Sequence, residues 1–245
     1  MSSLKFQHKN VCLVRHDALN GALFKQPFID LIVTAPPHEY AHTDYERYMV
    51  FSEIWLRNCF AWTKSQGRLC LHAPIDKTKG GAQPLAADLT KIAQKVGWQY
   101  KTSIVCSDGN NWHSMARGSW QSASAPVVVA PLDLLLVFYK DDWKKTGGTG
   151  VSDISADEFK EWTQGVWALN SESKKQIGHP NPFPKDLAYR CIRLFSYQYD
   201  CIFDPFAGSG TTLITAQNTE RLSIGIEINE TYFELAKDRI LRETL

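Results

Sequence analysis

The 245-residue sequence has no C-x-x-C pair, no long apolar run and almost no net charge, and each absence removes a class of protein. Its six cysteines (Cys12, Cys59, Cys70, Cys106, Cys191 and Cys201) are scattered, several within apolar runs where a thiol packs as a small hydrophobe. That usage points to a reducing cytoplasm rather than a disulfide framework. No stretch approaches the roughly 18 apolar residues that span a bilayer. The opening MSSLKFQHKN lacks the apolar centre of a secretion signal, so a soluble cytoplasmic protein with no membrane partner is expected. A formal net charge of +1 offers no global attraction for nucleic acid, and any such contact has to come from a local basic and polar surface. Internal repeats and low-complexity tracts are absent too.

What is present suffices for one substantial core. With 44% hydrophobic and 22% charged residues, a single domain over residues 1–245 is expected. Strand-like runs recur at VCLV (11–14), DLIVT (30–34), RLCLH (68–72), TSIVC (102–106), LLLVFY (134–139), CIFD (201–204) and LSIGIEI (222–228), separated by helical stretches. The alternation predicts an α/β fold, a mostly parallel seven-stranded sheet with helices on both faces. Tyr48, Phe51, Trp55, Cys59 and Trp62 fall three and four apart and form one apolar helical stripe; Leu85, Leu89, Ile92 and Val96 form another. Residues 141–178 interrupt the pattern as a short insertion, a linker or target-recognition segment. DDWKKTGGTG reads as a flexible linker, and ISADEFKEW as a short helix opened by a capping box from Ser155 to Glu158.

The strongest local signal is CIFDPFAGSGTTLITA: a strand ending at Asp204, a tight turn through Gly208, Ser209 and Gly210, and a helix beginning at Thr211. Such a turn presents backbone N–H groups to an anionic part of a ligand. It is not a Walker A loop, since no Lys follows the last glycine, and the third glycine of a dinucleotide fingerprint is missing. On its own it is equally a structural strand-to-helix turn. Glu227 ends the next strand about 20 residues on, where an acidic side chain accepts from both hydroxyls of a ribose; the alternative is a cap of the helix that follows.

DPFAGSGTT followed by GIEIN resembles the cofactor half of the DNA amino-methyltransferases. The resemblance implies a Rossmann-like S-adenosylmethionine-dependent methyltransferase fold. It also implies that S-adenosyl-L-methionine is held by Asp204, Phe206, Gly208, Ser209, Gly210, Thr211, Glu227 and Asn229. HPNPFPKDL is similar to the segment that closes over the cofactor in that family, which adds His179, Pro180, Phe183 and Pro184. VCLVRHDAL resembles the opening strand, whose acidic residue, here Asp17, lies near the adenine; a helix cap is the other reading of Asp17.

DLIVTAPPHEY places two prolines after a buried strand, where a rigid turn exposes backbone carbonyls at the carboxyl edge of the sheet. An amino group conjugated to a base ring is a poor nucleophile. It improves when acceptors hold its protons, and a neighbouring aromatic ring can stack on a flipped-out base. The turn resembles the family's catalytic tetrapeptide, Ser-Pro-Pro-Tyr in many cytosine-N4 enzymes and Asp-Pro-Pro-Tyr in most adenine-N6 enzymes. Here it reads Ala35, Pro36, Pro37, His38, preceded by Thr34, and Tyr40 stands where it could supply the aromatic face.

RGSWQSASAP is similar to a Gly-Ser-Trp and Ser-x-Ser-x-Pro segment commoner in the cytosine-N4 enzymes, and assigns Arg117, Ser119, Trp120, Ser122 and Ser124 to DNA contact. The catalytic segment precedes the cofactor loop, the permuted order of the beta class. No Pro-Cys dipeptide occurs, against cytosine-C5 chemistry. The resemblance implies a site-specific cytosine-N4 methyltransferase acting on double-stranded DNA. An adenine-N6 enzyme, or a catalytically weakened subunit that binds S-adenosylmethionine or DNA, are its alternatives. The partners it implies are duplex DNA, a second copy of the chain in a homodimer, and a cognate restriction endonuclease; no metal is called for.

Overall fold

The computed structural model describes residues 4–78, 82–107, 117–128, 132–169, 177–178 and 180–244, with the side chains of Glu39 and Arg117 left aside. In chain order the elements are β1 (Leu4–His8), β2 (Val11–Arg15), β3 (Ile29–Thr34), α1 (Glu39–Thr43), α2 (Tyr45–Trp62), β4 (Thr63–Pro74), α3 (Leu85–Val96) and β5 (Gln99–Ser107). There follow β6 (Arg117–Gly118), β7 (Pro126–Val127), β8 (Asp133–Tyr139), α4 (Ala156–Trp162), β9 (Val166–Ala168), α5 (Lys185–Phe195), β10 (Cys201–Asp204), α6 (Thr211–Asn218), β11 (Leu222–Glu227) and α7 (Glu230–Glu243). β6 and β7 pair as a separate small hairpin.

One sheet runs in the order β1-β2-β11-β10-β3-β4-β8-β5-β9. Pairing is parallel from β2 through β11, β10 and β3 to β4, and again between β5 and β9. It is antiparallel where β1 meets β2 and where β8 inserts between β4 and β5. The α/β class and the mostly parallel sheet agree with the sequence pattern, and all seven expected strands are present. Among the described residues the sheet has nine strands rather than seven because both edges are extended. β1 folds back on β2, and β9 pairs with β5 through only three residues, too few for a periodic signal.

The sheet is sandwiched because its strands alternate. Leu31, Val33, Cys70, Leu135, Val137 and Ile202 face α5, with Leu187, Cys191, Ile192 and Phe195. Ile32, Leu69, Leu71, Leu136 and Phe203 face α2 and α3. The expected stripe of α2 puts Tyr48, Trp55, Cys59 and Trp62 in the core, while Phe51 is only partly buried. Asp44 caps that helix, accepting from the N–H of Arg47 at 3.0 Å. All six cysteines are free. Among the described residues no helix is long and apolar enough to cross a membrane.

The capping box is present as read: Ser155 Oγ accepts from the N–H of Glu158 and Glu158 Oε2 from the N–H of Ser155. The stretch before it, read as a flexible linker, is instead anchored along its length. Arg68 lies 4.3 Å above the ring of Trp143. Lys145 reaches Asp200 at 2.5 Å and Asp30 at 3.3 Å with its side chain 7% exposed. Arg221 forms a two-pronged pair with Asp153, both bonds at 2.7 Å. These partners are 55 to 115 residues away in sequence, so composition alone could not reveal them.

Candidate active site

Because β3, β4, β10 and β11 run parallel, their carboxyl ends share one edge, and β2 ends beside them. β10 ends at Asp204 and turns through Gly208 (φ 52°) and Gly210 (φ 81°), the residue preceding α6. Both glycines are in the left-handed region that a side chain disfavours. At Gly210 a Cβ would also sit 3.2 Å from that of Ala236. The carboxylate of Glu227 accepts from the N–H of Gly208 and of Asn229, each at 2.8 Å. Burial raises its pKa against backbone hydrogen bonds from Asn229, Gly208 and Ile228. These backbone donors hold the group in place, and a carboxylate's roughly four lone pairs leave it able to receive a hydroxyl as well. The N–H of His16 bonds the Glu227 carbonyl at 3.2 Å, which brings Asp17 to the same rim. Asp17 Oδ1 accepts from the N–H of Leu19 at 2.9 Å, so it closes a local turn and caps no helix. Asn229 caps α7.

Asp204 does not open towards a ligand. It is 3% exposed and receives the hydroxyl of Thr34 at 2.8 Å and the N–H of Phe206 at 3.0 Å. Burial raises its pKa to about 6, opposed by the bonds from Thr34, Phe206 and Thr212, and Glu227 adds to the rise. The pair Thr34–Asp204 therefore ties the end of β3 to the end of β10, joining the Pro-Pro turn to the glycine turn. Phe206 packs on Phe51 and Trp55, with ring centroids 5.7 and 5.4 Å apart. Ser209 and Thr211 are buried.

Beyond Thr34 the turn is half-buried, with Pro36 buried. The carbonyls of Pro37 and His38 are taken by the N–H groups of Tyr40 and Ala41 as α1 starts. Tyr40 is 64% exposed. Phe183 rests edge-on over His72 of β4, centroids 5.9 Å apart, and Pro184 opens α5. Pro180 is exposed on the same approach, and His179 lies outside the described residues.

The β6–β7 hairpin spends its serines on itself. Ala125 donates to Ser119 Oγ at 2.7 Å, and Ser122 and Ser124 bond each other at 3.0 Å. Trp120 is left 76% exposed. The backbone of Arg117 opens β6; its side chain lies outside the described groups.

Three residues escaped the sequence reading. Arg239, on the buried face of α7, donates to the Ser209 carbonyl at 2.7 Å and to Thr211 Oγ1 at 3.2 Å, clamping the glycine turn from behind. The only sequence signal was a charge among Phe233, Ala236 and Ile240. His72 and Asp133, 3.4 Å apart on β4 and β8, come together only through the sheet.

The family described as DNA methylase, of N6 and N4 type, matches residues 29–238. The type II methyltransferase M.MjaVI of Methanocaldococcus jannaschii is 43% identical over 175 residues, covering 68% of this chain and 89% of its own length. M.SmaI of Serratia marcescens is 38% identical over 184 residues, 73% of this chain and 60% of that protein. Among solved structures, TTHA0409 of Thermus thermophilus, in complex with S-adenosyl-L-methionine, superposes with a TM-score of 0.75 at 26% identity, over 93% of this chain and 92% of that one. PvuII DNA methyltransferase, cytosine-N4-specific, shares the fold with a TM-score of 0.73 at 19% identity, over 96% and 94%. With most of its length matched and both turns on one sheet edge, the chain belongs to the DNA methylase family of N6 and N4 amino-methyltransferases.

Proposed function

We propose that this DNA methyltransferase transfers a methyl group from S-adenosyl-L-methionine to the N4 amino group of a cytosine flipped out of duplex DNA at a specific sequence. The observation that carries the reading is the 2.8 Å bond between Thr34 and Asp204, which holds the Pro-Pro turn beside the glycine turn. The residues present fit the cofactor. The left-handed glycines leave the backbone open, α6 begins with no side-chain cap, and Glu227 is oriented by backbone donors to face the ribose hydroxyls. Ser209, Gly210 and Thr211 would hold the methionine end, Asp17 and Asn229 the nucleoside end, and Phe206, Pro180, Phe183 and Pro184 the walls. When bound, the cofactor supplies an electrophilic methyl group.

The chain's own part is positioning. The Pro36 carbonyl accepts an amino proton, and Tyr40 and His38 offer ring faces for the flipped base, whose amino group is otherwise engaged in pairing. Trp120 and Arg117 meet the DNA beside it. The cytosine assignment rests on Thr34 and the Gly-Ser-Trp segment. Residues 1–245 act as one domain, and sequence readout comes from short loops, from a second copy of the chain, or from residues 141–178. A cognate endonuclease fits the type II relatives, and the free thiols suit a reducing cytoplasm.

The test is to incubate the protein with unmethylated duplex DNA and labelled S-adenosyl-L-methionine, then digest to nucleosides and identify the labelled one by mass. The expected product is N4-methylcytosine. N6-methyladenine overturns the base assignment alone, and absence of any labelled nucleoside overturns the activity in favour of a binding role.

A further inference from the structure

An amino group has two protons, and a turn that offers one carbonyl holds only one of them. Ala35 has no side-chain acceptor. The strand register shows what stands next to it. β3 and β4 pair Val33 with Cys70 and Thr34 with Leu71, so the next pair in the same register is Ala35 with His72, on strands about 4.8 Å apart. Side chains alternate, and Val33 and Cys70 both face the α5 side. Ala35 and His72 follow two residues later on that side, where Phe183 covers the imidazole.

His72 is held from behind. Its Nε2 lies 3.4 Å from Asp133 Oδ2, and the imidazole is 15% exposed. A carboxylate at Nε2 keeps the proton on that nitrogen and leaves Nδ1 as the acceptor. Building on the proposed methyl transfer, we infer that His72, oriented by Asp133, is the second acceptor for the target amino group, replacing the side chain that Ala35 lacks. The target nitrogen uses its lone pair to form the N–CH3 bond while the pair of the broken S–CH3 bond stays on sulfur. The surplus proton on nitrogen passes to Nδ1, and the imidazolium formed is stabilised by Asp133 until water takes the proton. Burial keeps the imidazole below the ordinary histidine range, as this role requires; Asp133 pulls its pKa up and His38 pushes it down. Of the other groups packed here, Cys106 of β5 faces Asp133, with Arg190 of α5 behind it.

Two measurements test this. In the protein without cofactor, carbon-13 NMR should show a His72 resonance, assigned by its loss in His72→Phe, that titrates below ordinary histidine and falls further in Asp133→Asn. A value clearly above neutral pH would leave both ring nitrogens protonated, make His72 a donor rather than an acceptor, and overturn the inference. In the labelled-methyl assay, His72→Phe should lose about 100-fold in kcat. Cofactor affinity by calorimetry should stay within about twofold, which checks the fold. Adding Ala35→Ser should recover about tenfold by restoring an acceptor. Wild-type kcat in His72→Phe overturns the inference and leaves the methyltransferase reading intact. An inactive wild type that becomes active on Ala35→Asp likewise overturns the inference alone, because the acceptor was then missing. No product from any variant overturns the reading and the inference with it.

Discussion

Replacing Asp204 with asparagine should make the protein more stable at high pH. The wild-type carboxyl is buried and titrates at about 6, against an ordinary value of 3.8. A raised folded pKa means that the folded state binds the proton more tightly than the unfolded chain does. Its contribution is therefore fully present below about pH 4 and lost as pH rises through about 6. At about 1.4 kcal/mol per pKa unit, ionising Asp204 costs the fold on the order of 3 kcal/mol by pH 8, about half of it between pH 5 and pH 8. The substituted amide would keep an oxygen for the hydroxyl of Thr34 and the N–H of Phe206, and its new N–H2 faces the hydroxyl of Thr212. Urea titrations of both proteins at pH 5 and pH 8 give the comparison. The stability difference should move in favour of Asp204→Asn by about 1.5 kcal/mol between the two pH values. A difference independent of pH, or one moving the other way, would refute the assignment of a raised carboxyl pKa at this strand end.

Three further outcomes are expected. Glu227→Ala orphans the N–H groups of Gly208 and Asn229 and removes the acceptors proposed for the nucleoside, so calorimetry should show cofactor affinity reduced by about 100-fold or more. Arg239→Met leaves the buried Ser209 carbonyl without its donor; denaturant titration should show a loss of about 1–3 kcal/mol together with weaker cofactor binding. Trp120→Ala removes an exposed ring, so stability should change by no more than about 0.5 kcal/mol. Electrophoretic retardation of duplex DNA should weaken severalfold.

Most of the sheet was legible because buried parallel strands are continuous apolar runs, and DLIVT or CIFD can be little else. The capping box from Ser155 to Glu158 was legible because its physics is local. The glycine turn and the Pro-Pro turn could be read as motifs, but their being tied together could not, since Thr34 and Asp204 are 170 residues apart. For the same reason Lys145 looked like part of a solvated linker, although Asp30 and Asp200 bury it. Edge strands β1 and β9 were missed because each has a solvated side and few residues. Arg239 and His72 show the general limit: periodicity tells which face a residue is on, but not which distant polar group it meets there.

The β6–β7 hairpin closes its hydrogen bonds within itself, from Ser119 to Ala125 and from Ser122 to Ser124. It branches from the chain between β5 and β8, at the sheet edge that carries His72 and Asp133. The anchors of Lys145 lie at the opposite edge, where β3 and β10 begin. The buried Lys145 anchor and the proposed target contact thus lie at different ends of the same strands. Under the proposed DNA contact, the hairpin would serve as an exchangeable cassette, which a lineage or an engineer could rewrite to face other DNA without disturbing the buried sheet.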